Sequence, residues 1–266
     1  MSFWKSTYFP PPKSSRLSHH GDYAATRRRF FNREHSNLKF LMKERYEWMS
    51  PYLLGKERIV ELGAGPGLSR EHLKDSKIEV TDIIPNKWID AQVDATELPY
   101  SPDSIDVVIC SHMIHHVATP SALIRRIGEV LKPGGVLLIN ETKASLLHRL
   151  LMSVMKNEGW SYDIEIFDES SKAKERNNPL EGNNAIADLL FNDHKKFISE
   201  FPEFSIEKDQ FTETFLFLLS GGVGGEVFTI ELPKSALKLF QKIDLILSHH
   251  LPSLFSLSRR IVLKKK

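Results

Sequence analysis

Cysteine is nearly absent: one residue, Cys110, stands in a chain of 266. No disulfide framework and no thiolate zinc site can form within one chain, and a reducing, cytoplasmic compartment is the expected home. Long apolar runs are missing too. Stretches such as Phe215–Leu219 fall far short of the roughly 18 residues that a spanning helix needs, and the first residues carry no apolar signal segment. No transmembrane segment is expected. Nor does one charge dominate: 36 Lys and Arg stand against 34 Asp and Glu, too even for a surface built to hold nucleic acid. The balance hides an asymmetry, because residues 1–57 carry 11 basic and 5 acidic side chains and form a basic end.

What is present fits one large globular domain with an inserted or appended piece, since 41% hydrophobic residues can build a core that a disordered chain lacks. Residues 1–21, with Pro10, Pro11 and Pro12 and no apolar period, read as an extended arm. Residues 22–57 read as a helical segment, because Phe30, Leu38, Leu41, Met42, Tyr46 and Met49 recur every three or four positions; Pro51 is expected to end it. Residues 58–141 alternate between strand and helix. Strands are expected at Arg58–Leu62, Lys77–Ile83, Ala91–Val93, Ile105–Cys110 and Val136–Asn140, with helices at Leu68–Lys74 and Ser121–Leu131. That succession predicts an α/β fold, a mostly parallel sheet with helices on both faces. Residues 142–266 hold the segments expected to cover a substrate, with helices near Ala185–Phe197 and Ser235–His249 and the last strands of the sheet near Ser205–Phe211 and Arg260–Lys264.

The central signal is Val60-Glu-Leu-Gly-Ala-Gly-Pro-Gly67 at a strand-to-helix junction, where glycines let the backbone turn sharply and approach a ligand. Asp82 ends the next strand 19 residues after Gly63, the distance expected of an acid that accepts from ribose hydroxyls. Asp94 follows the short third strand, where a carboxylate can meet an adenine amino group. With Ser104-Ile-Asp-Val-Val-Ile-Cys110, His115-His116-Val117 and Leu131-Lys-Pro-Gly-Gly-Val-Leu-Leu-Ile139, these motifs resemble those of the class I S-adenosylmethionine-dependent methyltransferases, in particular the group related to quinone biosynthesis. The resemblance runs from Arg58 to Glu141, about a third of the chain.

That resemblance implies a Rossmann-like fold with an antiparallel last strand and S-adenosylmethionine as cofactor. Glu61 with Gly63, Ala64, Gly65 and Gly67 would hold the methionine part, Asp82 the ribose, Asp94 and Ala95 the adenine, and Ser111 would line the pocket. An acid such as Glu61 suits the donor's ammonium group and would repel a pyrophosphate. The chain departs from the family between Asp82 and the third strand, where Pro85 opposes the usual helix. Trp88 in that turn reads either as a lid stacked on the base or as plain core.

His112, His115 and His116 follow the fourth strand at its carboxyl edge, where ligands of open parallel sheets bind, and histidine has the best-matched pKa for taking an acceptor's proton. The other reading of His116 is a packed histidine at a helix start. No metal is expected, because no neighbouring carboxylate or thiol in the sequence completes a site. The implied partner is a small-molecule or lipid-linked acceptor, or a glycan. The apolar stretch Leu237–Phe255 reads as core, as a homodimer interface, or as a peripheral membrane contact. Two rivals stand beside a methyltransferase. A nicotinamide oxidoreductase is disfavoured by the spacing of Gly63, Gly65 and Gly67, and a non-catalytic partner subunit would bind the donor without turnover.

Overall fold

The computed structural model describes residues 4–11, 14–18, 21–32, 34–74, 76–173 and 180–266. Among the described residues, nine strands order the chain: β1 (Thr7–Tyr8), β2 (Ile59–Leu62), β3 (Ile78–Asp82), β4 (Ala91–Gln92), β5 (Ile105–Ser111), β6 (Leu131–Thr142), β7 (Trp160–Ser161), β8 (Phe204–Thr212) and β9 (Ser258–Lys265). Seven of them form one sheet in the order β4-β3-β2-β5-β6-β9-β8. The pairs from β4 through β6 are parallel, while β9 runs antiparallel to both β6 and β8.

Period-two patterning decides what each face buries. Val60, Leu62, Val108, Cys110, Leu137 and Ile139 point into one layer with Leu123, Ile124 and Ile127 of the helix Pro120–Val130. Ile59, Val107, Ile109 and Leu138 point into the other, against Leu38, Met42 and Tyr46. The N-terminal helices are α1 (Tyr23–Phe31), α2 (Ser36–Glu47) and α3 (Ser50–Leu53), followed by α4 (Ser69–His72), α5 (Pro120–Val130) and α6 (Leu146–Met155). Then come α7 (Ile186–Phe191), α8 (His194–Glu200), α9 (Phe215–Leu219), α10 (Lys234–His250) and α11 (Pro252–Phe255). Among the described residues no helix is long and apolar enough to cross a membrane.

Two local expectations are corrected. Pro51 does not end the N-terminal helical run; it sits in the first turn of α3, where a missing N–H costs nothing. The single helix read at Ala185–Phe197 is two, because the Asp193 side chain accepts from Lys196 N at 3.0 Å and caps a new start. The described part of the arm is docked: β1 pairs with β7, the Trp160 indole donates to Lys5 O at 3.0 Å, and Ser18 bridges Glu226.

A buried ion pair ties the N-terminal helices to the C-terminal half. Arg45 of α2 donates to both oxygens of Glu213, with contacts of 2.7 and 3.0 Å, and both side chains are almost wholly shielded from solvent. Arg45→Ala strands Glu213 as an unpaired buried carboxylate and is expected to cost about 3–5 kcal/mol in denaturant unfolding. Lys43→Ala, which breaks only the exposed pair with Glu47, should cost less than about 0.5 kcal/mol by the same measurement; equal losses would contradict the assignment.

Candidate active site

At the carboxyl edge of the sheet the chain leaves β2 through Gly63, Gly65 and Gly67, all at positive φ. A Cβ on Gly63 would lie 2.0 Å from Met113 Cγ, so this glycine is needed for close approach as well as for its backbone angle. Asp82, at the end of β3, steadies the turn by accepting from Gly65 N at 2.7 Å and from Ile84 N at 2.8 Å. Asp94 accepts from the backbone and hydroxyl of Thr96 at 2.8 and 2.6 Å. A cavity of about 430 Å³ opens here, and Gly63, Ala64, Gly65, Asp82, Asp94, Ala95 and Ser111 all line it.

Two of the expected cofactor residues stand back from that surface. Glu61 is buried and faces away from the cavity: its carboxylate accepts from Tyr46 Oη at 3.1 Å and from the Ser69 hydroxyl. Burial pushes its pKa up to about 7 against those hydrogen bonds. Tyr46, which donates to Glu61, is the group that meets the cavity. Gly67 packs against Trp88, whose indole donates to Gly65 O at 2.8 Å while Arg27 stacks on its outer face. Trp88 therefore braces the outside of the glycine turn and is not a lid over a base.

Beyond Ser111 the backbone turns through His112 at φ 51, a conformation that non-glycine residues adopt at some cost. His112 N–H donates to Asn140 O at 2.6 Å, and burial together with nearby Arg45 holds its imidazole pKa well below the usual range. His115 and His116 lie in the following 3-10 turn, Ile114–His116, with ring centroids 4.1 Å apart. Glu141, buried at the end of β6, accepts from His115 Nδ1 at 2.6 Å and from Ile114 N at 2.8 Å. The fold then adds residues that sequence reasoning missed. Glu158 places its carboxylate 3.5 Å from His115 Nε2 and 3.8 Å from His116 Nε2, and His148 of α6 lines the same cavity with its Nδ1 lacking a hydrogen-bond partner. Neither lies in a motif. The expectation that no carboxylate completes a metal-ligand set around these histidines is thus corrected: His115, His116 and Glu158 bring one ligand atom each within 4.8 Å of one another.

A model of the methyltransferase domain matches residues 33–177, more than half of the chain. The chain belongs to the S-adenosylmethionine-dependent methyltransferases. Ubiquinone biosynthesis O-methyltransferases are similar to it: that of Aeromonas salmonicida is 29% identical over 41% of this chain and 54% of its own length. The Xanthomonas euvesicatoria enzyme is 32% identical over 36% and 48% respectively. The chain spans about half the length of the curated relatives it matches. A SAM-dependent methyltransferase from Archaeoglobus fulgidus shares the fold, with a TM-score of 0.54 at 18% identity over 85% of this chain and 93% of that one.

The cavity suits the family's cofactor. Its described lining contains acids and backbone amides but a single Lys or Arg, Arg45, and that charge is held by Glu213. A phosphate-bearing dinucleotide would find no free cation, whereas a phosphate-free nucleoside carrying a sulfonium and an ammonium group meets carboxylates. Asp82 would take the ribose, Asp94 and Ala95 the adenine, and the Gly63–Gly65 backbone the methionine portion. Of the three histidines read as proton acceptors, His115 is the poorest. Burial opposes its charge, but Glu141 and Glu158 outweigh burial and raise its pKa to about 10, so it holds a proton at neutral pH. His148 is the reverse: burial pulls it down to about 4.

Two outcomes are expected. Asp82→Ala should weaken S-adenosylmethionine binding by roughly 10- to 100-fold, the loss of charged hydrogen bonds to the ribose, in calorimetry; unchanged affinity would remove Asp82 from that role. Between pH 6.5 and about 4 the unfolded chain protonates His148 while the folded protein does not, so this residue costs stability as pH falls through that window. The stability advantage of wild type over His148→Phe should therefore shrink on acidification, and a constant difference would contradict the buried neutral state.

Proposed function

We propose that the protein transfers the methyl group of S-adenosylmethionine to an oxygen of a small acceptor with a largely apolar body. The observation that carries this reading is one cavity shared by two kinds of wall. The glycine turn, Asp82 and Asp94 form one side, and His116, His148 and Glu158 stand in the same space beside Met42, Leu151, Met152, Met155 and Phe217. When bound, S-adenosylmethionine supplies a methyl carbon activated by its sulfonium. The protein contributes by fixing the acceptor in line with that carbon, an effect worth roughly 7–11 kcal/mol when orientation is good.

His148 is the proposed hydrogen-bond partner that orients the acceptor's hydroxyl. It is buried at the cavity, and its Nδ1 has no partner among the described residues. His115 positions the site and does not take the proton. The apolar wall favours a quinone-like or lipid-linked molecule, as do the printed names of the curated relatives. Val227 of the lining adjoins exposed Phe228 and Ile230, an apolar path for a tail leaving the cavity. The lone buried Cys110 suits a reducing, cytoplasmic setting.

The test is transfer of labelled methyl from S-adenosylmethionine into a fractionated cell extract. Label in the organic phase is expected. Label confined to the aqueous phase would overturn the apolar acceptor, and donor binding without transfer to any fraction would favour a non-catalytic binding protein.

A further inference from the structure

The histidine pair and Glu158 form a cluster to which the methyl-transfer reading assigns no joint role. Glu141 is a carboxylate and Glu181 O is a carbonyl, so each can only accept, and His115 Nδ1 and His116 Nδ1 donate to them at 2.6 and 3.2 Å. Both rings are thus held by one nitrogen and turn the other, Nε2, toward the same carboxylate, that of Glu158.

We propose that His115 Nε2, His116 Nε2 and a Glu158 oxygen bind a divalent first-row transition ion of the zinc class. The spacing is near that of a metal site: ligand atoms at about 2.0–2.2 Å from a tetrahedral ion lie roughly 3.4 Å from one another, and here His115 Nε2 stands 3.5 Å from Glu158 Oε2, His116 Nε2 stands 3.8 Å from Glu158 Oε1, and one ligand atom from each residue lies within 4.8 Å of the others. The surroundings are those of a metal site. Glu141 and Glu181 O orient each imidazole through its outer nitrogen, the arrangement that fixes the ring and strengthens the ligand. Gly182 keeps the loop pressed on the cluster: a Cβ there would lie 2.7 Å from His115 Cδ2, 3.2 Å from His116 Cε1 and 3.3 Å from Glu158 Oε2.

Three protein ligands leave a fourth position, and all three residues line the cavity. That position takes an oxygen donor such as a phenol or enol of the acceptor, whose pKa a bound cation lowers. Assigning the acceptor to it rests on the methyltransferase reading; the ion site itself does not. In its absence the proton on His115 serves as the cation.

The experiment uses the full chain, stripped with a chelator, with neither S-adenosylmethionine nor acceptor present. Co²⁺ is followed by its visible d–d absorption and Zn²⁺ by calorimetry. One equivalent is expected, with affinity falling at least about tenfold in Glu158→Gln and in His116→Gln. Gly182→Ala, which leaves every ligand in place, should also weaken binding by crowding the cluster. Absence of saturable binding to the wild-type chain, or equal binding by all four proteins, would overturn the proposal. S-adenosylhomocysteine binding is measured on the same samples: retained cofactor binding without metal binding overturns the ion site alone. Metal binding without cofactor binding upholds the ion site and removes the methyltransferase reading.

Discussion

The buried carboxylate of Glu141 is the constraint on which the active-site end of the molecule depends. It sits fully shielded at the end of β6 and accepts from Ile114 N, His115 Nδ1 and Thr142 N. The first two of those bonds join the end of β6 to the turn that follows its parallel neighbour β5, and the third closes on β6 itself. Burial alone would protonate such a group; the adjacent His115 charge and the backbone donors instead hold its pKa below the usual carboxylate range. With Glu141 fixed, the His115 ring is fixed, and with it the direction in which the histidine pair meets Glu158.

The opposite side of the cavity rests on backbone freedom rather than charge. Gly63 allows Met113 to come close, and Asp82 ties the glycine turn to the end of β3. The N-terminal arm and α1 then close over this region: Leu17, Gly21 and Tyr23 all line the cavity. Asp22 caps α1 by accepting from Ala25 N at 2.8 Å, and Arg29 binds the carbonyl oxygens of Gly222 and Gly225. The glycine-rich turn Gly221-Gly-Val-Gly-Gly225 is thus held by a buried guanidinium.

The parallel half of the fold was legible because its signals are local. Strand periodicity, the glycine turn and Pro133-Gly134-Gly135 before the interior of β6 each follow from a few adjacent residues, and the cofactor-side residues Gly63, Asp82, Asp94 and Ala95 came with them. Glu61 was legible as a motif acid but not as a group turned away from the cavity, because its direction is set by Tyr46 of α2, remote in pattern though near in sequence. Glu158 and His148 were illegible for another reason. They come from a segment with no motif, and only the path of α6 back over the sheet edge brings them to His115. Trp88 could be read as lid or as core because sequence shows a tryptophan in a turn but not which side of the turn it covers.

The central claim is that donor and acceptor share this cavity. Its most direct test is a crystal structure with S-adenosylhomocysteine bound. The account predicts the ribose hydroxyls at Asp82, the adenine against Asp94 and Ala95, and the sulfur turned toward the space between His116 and His148. A product molecule bound elsewhere, or bound here with its sulfur facing Trp88 and away from the histidines, would contradict it.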